Sequence, residues 1–177
     1  MIDQESLTSI VIETTQEVFS TMLDMRVQCL GPAEDAPSSE AGLIALVGIT
    51  GDWTGSGFFG CSPRMAATIY GRMLGECPHS DPGVVNEEIL DITAEMSNML
   101  IGNMKNAIAR LVGPLAISIP TVIHGRNFRL RNGSGLRGVS LMFEAEADRF
   151  EIRIALSPAP EKPSVRLRAS VLDLATV

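Results

Sequence analysis

The chain has 177 residues, 45% of them hydrophobic, enough for one compact domain that folds without disulfides or a structural metal. A formal charge of -7 and a pI of about 4.8 lack the basic footprint of a nucleic-acid or anionic-membrane binder. Cys29, Cys61 and Cys77 form no CxxC pair and do not cluster with His79 or His124, which reads as reduced thiols and not a zinc site.

The opening MIDQES is acidic and polar where a secretory leader needs a basic start and an apolar run. No apolar stretch approaches membrane-spanning length, so the expectation is a soluble, cytoplasmic protein. From Leu7 to Leu23 the spacing predicts an amphipathic helix, with Ile10, Thr14, Glu17 and Thr21 on one side and Val11, Val18 and Met22 on another. MRVQCL (25 to 30) reads as a short strand, and GPAEDAPSS (31 to 39) as an acidic, turn-rich loop. LIALVGIT (43 to 50) and FFGC (58 to 61) are apolar strands around GDWTGSG, a glycine-rich hairpin turn. Ser62-Pro63 has the pairing of an N-cap with a first-turn proline and begins a second helix through MAATIYGRML.

ECPHSDPG breaks that helix, and a second long helix is predicted from about Val84 until Gly113-Pro114 stops it. LAISIPTVIH, GVSLMFEAEA and RFEIRIALS then read as three strands, the last two joined by a short turn at Asp148-Arg149. Helix, three strands and helix, then helix and three strands, suggest two halves of similar design rather than βαβ alternation. Aligning the long helices on their glutamates sets Glu17 against Glu95 and Ser20 against Asn98.

In the second long helix, DITAEMSNMLIGN carries a polar line through an otherwise apolar segment. At 100° per residue, Glu88, Asp91, Glu95, Asn98, Gly102, Lys105 and Asn106 fall within about a third of the circumference. Val85, Ile89, Met96, Leu100 and Ala107 lie opposite. A solvated face would look similar, but two details point beyond it. Gly102 occupies a helix position where alanine is favoured by up to about 1 kcal/mol, and its bare backbone admits a close neighbour. Asp91 and Glu95 are like charges at i, i+4 with no cation before Lys105, which suits a positive partner on another protein. A carboxamide such as Asn98 both donates and accepts, so it can hold a water beside a phosphoryl group, while a carboxylate one turn away can pair with a lysine.

Asp91-x-x-x-Glu95-x-x-Asn98, followed about twenty residues later by Pro120 in SIPTVIHG, resembles the signature of the CheC/CheX/FliY phosphatases. Gly102 and the order of elements are similar to CheX-like chains over roughly Leu7 to Ser157. The resemblance implies an α+β fold of two pseudo-repeated helix plus three-strand halves, with long helices on a mostly antiparallel sheet. It places a CheX-like domain in 1–157 and leaves 158–177 as an extension. It also implies a phosphatase that removes the phosphoryl group from the aspartyl-phosphate of a CheY-type response regulator in chemotaxis or two-component signalling. Asn98 would orient the attacking water and Glu95 would pair with the regulator's lysine. Asp91, Gly102 and Lys105 would serve partner binding, Mg2+ would come with the regulator, and the chain would pair as a homodimer. Glu17 and Ser20 would be the decayed copy of the site.

Other segments fall outside that pattern. RNFRLRNGSGLRG (126 to 138) places Arg126, Arg129, Arg131 and Arg137 between two strands, as a solvated connection or as a contact to an acidic surface. The tail PAPEKPSVRLRASVLDLATV starts as a proline-spaced linker and ends in an alternating run suited to an edge strand or a second subunit. Trp53, Phe58 and Phe59 are expected to close the core, since GDWTGSG lacks the Lys-Ser/Thr of a phosphate loop. No serine or cysteine elbow accompanies the histidines. The competing functions are a non-catalytic module that binds a phosphorylated regulator, and a scaffold whose polar helix face is merely wet.

Overall fold

The computed structural model describes residues 2–33, 42–75, 83–126 and 136–160. In chain order the elements are α1 (Gln4–Leu23), β1 (Gln28–Pro32), β2 (Gly42–Gly51), β3 (Trp53–Cys61), α2 (Pro63–Leu74), α3 (Glu87–Val112), β4 (Leu115–Ile117), β5 (Thr121–Gly125), β6 (Arg137–Ala145) and β7 (Asp148–Pro158). The strands form one antiparallel sheet in the order β1-β6-β7-β3-β2-β4, with β5 also paired to β2.

Local chemistry explains the helix bounds. Asp3 accepts a hydrogen bond from the Ser6 amide at 2.7 Å and caps α1. Ser62 accepts from the Met65 amide at 2.9 Å, with Pro63 in the first turn of α2. Asn86 accepts from the Ile89 amide at 3.0 Å, so α3 begins at Glu87, three residues after the expected Val84. Gly113, at φ 100°, ends α3 in a conformation that disfavours a side chain. All three helices pack on one face of the sheet. Between them and the sheet, Phe150 stacks against Phe19 at 4.6 Å and Phe143 at 5.4 Å, and meets Phe59 edge-on at 6.0 Å.

Five expectations change. GDWTGSG is not a loop: β2 turns at Gly51 and Asp52, and Trp53 through Gly57 already lie in β3. Gly57 is needed there because a Cβ would come within 2.6 Å of Ile101 in α3, and Gly55 because a Cβ would meet the Ala155 carbonyl oxygen. LAISIPTVIH is two strands and not one, giving four strands in the second half. The β6–β7 turn falls at Glu146-Ala147, both with positive φ, two residues before the expected Asp148-Arg149. Met22, read as apolar-face, is 50% exposed, whereas Thr14 and Thr15 are buried. Trp53 and Phe59 join the core as expected, but Phe58 is buried on the opposite face of the sheet, with the Arg153 guanidinium 5.5 Å above its ring.

The two-halves expectation has a structural counterpart. With β4 and β5 counted together as the first strand of the second half, the first strand of each half pairs with the second strand of the other, β1 with β6 and β4 and β5 with β2, while β3 and β7 meet at the centre. α1 and α3 lie side by side. In the glutamate alignment Thr15 matches Thr93, and both buried hydroxyls donate to the carbonyl four residues back at 2.6 Å. Residues 127–135 of the arginine-rich connection and 161–177 of the tail lie outside the described residues, as do Cys77 and His79. Of the connection, Arg137 begins β6 and donates to the Ile2 carbonyl at 3.1 Å.

Candidate active site

The 26-residue helix α3 buries Ile89, Ile92, Thr93, Met96, Ser97, Leu100, Ile101, Met104 and Ile108, which leaves the polar line facing outward. Asp91, Glu95 and Asn98 are exposed, while Gly102 and Lys105 are half-buried. Along the axis Glu95 and Asn98 are about 4.5 Å apart, and Asp91 lies about 6 Å before Glu95. Among the described residues neither the Glu95 carboxylate nor the Asn98 carboxamide has a hydrogen-bond or ion-pair partner. Both are free to meet a second molecule.

The helix beneath them is fixed at several points. Asn86 caps its start, and Ile101 fills the space of the missing Gly57 side chain. At its end a Cβ on Gly113 would lie 2.1 Å from Asp52 Oδ2, and the Asp52 amide donates to the Pro114 carbonyl at 3.1 Å. Polar groups are thus presented on a backbone that packing holds in place.

Gly102 has a different status. A Cβ there would meet the Ile117 Cδ1 at 3.7 Å, ordinary van der Waals contact, so this chain's own packing does not require glycine. Beyond Ile117 the space over Gly102 is open among the described residues.

The first-helix copy is exposed as well, at Glu17 and Ser20. There the Ser20 hydroxyl donates to the Glu17 carbonyl at 3.0 Å, folding back on its own helix. It offers no equivalent of a free carboxamide. Beside Asn98, Ser97 Oγ is fully buried without a hydrogen-bond partner. Sequence periodicity gave no signal of that orphan, since serine on a helix most often faces water. His124 is exposed, and among the described residues no three His, Cys, Asp or Glu side chains are grouped to hold a metal ion. No helix of the described residues is long and apolar enough to cross a membrane.

Comparison with known proteins agrees with this architecture. A CheC-like superfamily protein from Shewanella sp. PV-4 superposes with a TM-score of 0.73 at 22% identity, covering 86% of this chain and 97% of that one. The fold is therefore that of the CheC-like superfamily. The family model described as chemotaxis phosphatase CheX matches residues 43–144, more than half of the chain, and the protein belongs to the CheX family. The CheY-P phosphatase CheX of Thermotoga maritima is 24% identical over 114 residues, 64% of this chain and 71% of that protein. The CheX of Borrelia burgdorferi, solved as a CheX-CheY-BeF3-Mg2+ complex, superposes with a TM-score of 0.64 at 20% identity over 88% of this chain and 99% of that one.

Proposed function

We propose that this protein hydrolyses the aspartyl-phosphate of a CheY-type response regulator, with Asn98 and Glu95 of α3 inserted at the regulator's phosphorylation site. The observation that carries the reading is the pairing of two exposed, unpartnered side chains one turn apart on a fixed helix, in a chain of the chemotaxis phosphatase family. Asn98 can accept a hydrogen bond from a water through Oδ1 and donate one through Nδ2 to a phosphoryl oxygen, which fixes the water in line with phosphorus. The water oxygen bonds to phosphorus as the bond to the aspartyl oxygen breaks, releasing inorganic phosphate and the regulator's carboxylate. A carboxylate leaves without general acid help, and in a loose transition state the attacking water keeps its proton until phosphorus is engaged, so a carboxamide that only orients the water suffices.

Glu95 supplies the register. Its carboxylate suits the ammonium of a lysine at the regulator's site, a pair that gains strength when docking excludes water. Asp91 and Lys105 extend the same face to either side, and Gly102 lets the partner's backbone come close. Charge on the phosphoryl group is taken up by Mg2+ and lysine that belong to the regulator, in keeping with the magnesium in the Borrelia burgdorferi complex. The homodimer implied by the family resemblance and the cytoplasmic setting expected from the sequence form part of this reading, and sedimentation velocity tests the first of them.

The test is the decay of a phosphorylated CheY-type regulator in Mg2+, alone and with wild-type protein or Asn98→Ala. Asn98 is exposed and unbonded, so its truncation leaves the melting temperature unchanged while the accelerated decay falls by about a hundredfold or more. Tight binding without acceleration by the wild type would make this a phospho-regulator binding module. Neither binding nor acceleration would make the polar face a wet surface of a scaffold.

A further inference from the structure

Ile119 is 87% exposed, the most exposed large hydrophobic side chain of the described residues. It lies in the break between β4 and β5. Ile49 of β2 pairs with Ile117 and Leu46 pairs with Thr121, so Ser118, Ile119 and Pro120 run opposite Val47 and Gly48, three residues against two. Ser118 takes up the Gly48 position: its amide donates to the Gly48 carbonyl at 2.9 Å and its Oγ accepts from the Gly48 amide at 2.9 Å. The same hydroxyl donates to the Ile119 carbonyl at 2.8 Å. The extra residue is pushed out as a bulge, a device that re-aims side chains and is common beside active sites.

The sheet register places this bulge beside α3. Val47, opposite Ile119 and Pro120, pairs on its other side with Gly57, whose empty side-chain space holds Ile101. Ile101 sits between Asn98 and Gly102 on the helix. The Gly102 Cα hydrogen side in turn faces Ile117, two residues and at most about 7 Å of chain before Ile119. An apolar side chain is thus held at the edge of the face that carries Asn98. Fixing it there lowers the ordering cost of binding.

We infer that Ile119 is an apolar anchor for the phosphorylated response regulator, seated in an apolar depression bordering its phosphorylation site when Asn98 enters it. The inference rests on the phosphatase reading and adds the residue that confers affinity. A second copy of this chain fits less well. The bulge interrupts the edge ladder and Pro120 lacks an amide proton, so this edge resists pairing with another strand. Continuity with the Glu95 and Asn98 face favours the regulator.

The experiment measures regulator dephosphorylation across regulator concentrations for wild type, Ile119→Ser, Ile119→Leu, Asn98→Ala and Leu111→Ser, with sedimentation of each. Leu111, 54% exposed, lies about 140° around α3 from Asn98 and controls for loss of any exposed apolar group. Ile119→Ser is expected to raise KM about tenfold with kcat unchanged, the pattern of lost uniform binding, while Ile119→Leu restores most of the affinity and Leu111→Ser matches wild type. An unchanged KM for Ile119→Ser, with Asn98→Ala still inactive, overturns the anchor and leaves the phosphatase reading standing. A halved mass for Ile119→Ser with unchanged KM assigns the bulge to a second copy and overturns it as well. A wild type that does not accelerate decay removes the phosphatase reading and the anchor with it.

Discussion

Asp91, Glu95 and Asn98 could be placed on a solvent face from spacing alone, because a 3.6-residue period fixes which side chains share a helix side once the apolar residues choose the core. What spacing could not supply is whether glycine at 102 answers a need inside the chain. Among the described residues a methyl at that position would meet only Ile117 Cδ1, at 3.7 Å, so it does not. Gly102→Ala is therefore expected to raise the stability of α3 by up to about 1 kcal/mol, read as a higher melting temperature. Under the proposed function the same change is expected to lower regulator dephosphorylation, because the methyl would obstruct a partner's backbone at that point. A stabilised variant with full activity would show that no partner comes close at Gly102. Ile119 illustrates the opposite limit of the sequence: in LAISIPTVIH it reads as one more apolar strand residue, and its exposure follows from a bulge set by pairing with β2.

The long helices and the central strands were legible because each has a strong period and local punctuation, such as Ser62-Pro63 and Gly113-Pro114. Boundaries moved where long-range packing overrode local signals. GDWTGSG has the composition of a turn, yet Gly55 and Gly57 lie within β3, where β7 and α3 press against them. Gly57 is the joint between strand and helix. In Gly57→Ala the new methyl would lie 2.6 to 2.8 Å from three side-chain atoms of fully buried Ile101. Ile101 is β-branched and stiff, so α3 must shift, at a cost of about 1–3 kcal/mol. A lower urea midpoint is expected, together with reduced dephosphorylation, because the displaced helix carries Glu95 and Asn98. An unchanged midpoint would mean that the helix does not bear on this strand.

Across the entire fold, two similar halves exchange their edge strands, so neither half closes its sheet without the other. Cooperative unfolding should follow, and Cys61 reports on it. Burial pushes its thiol well up from the usual range, and the Asp148 charge adds to the shift. At pH 8 in native buffer Cys61 is expected to resist alkylation while half-buried Cys29 reacts, with mass spectrometry locating the label. Labelling of Cys61 should then appear with the urea transition, and fast native labelling would show that β3 opens independently. The amino-acid order was sufficient for the α+β class, the two-part plan and the outward line of Asp91, Glu95 and Asn98, since helix period, caps and apolar runs are local properties. Strand order, the continuation of β3 through its glycines, the split of β4 from β5 and the display of Ile119 arise from pairings between residues far apart in the chain, which no local pattern encodes.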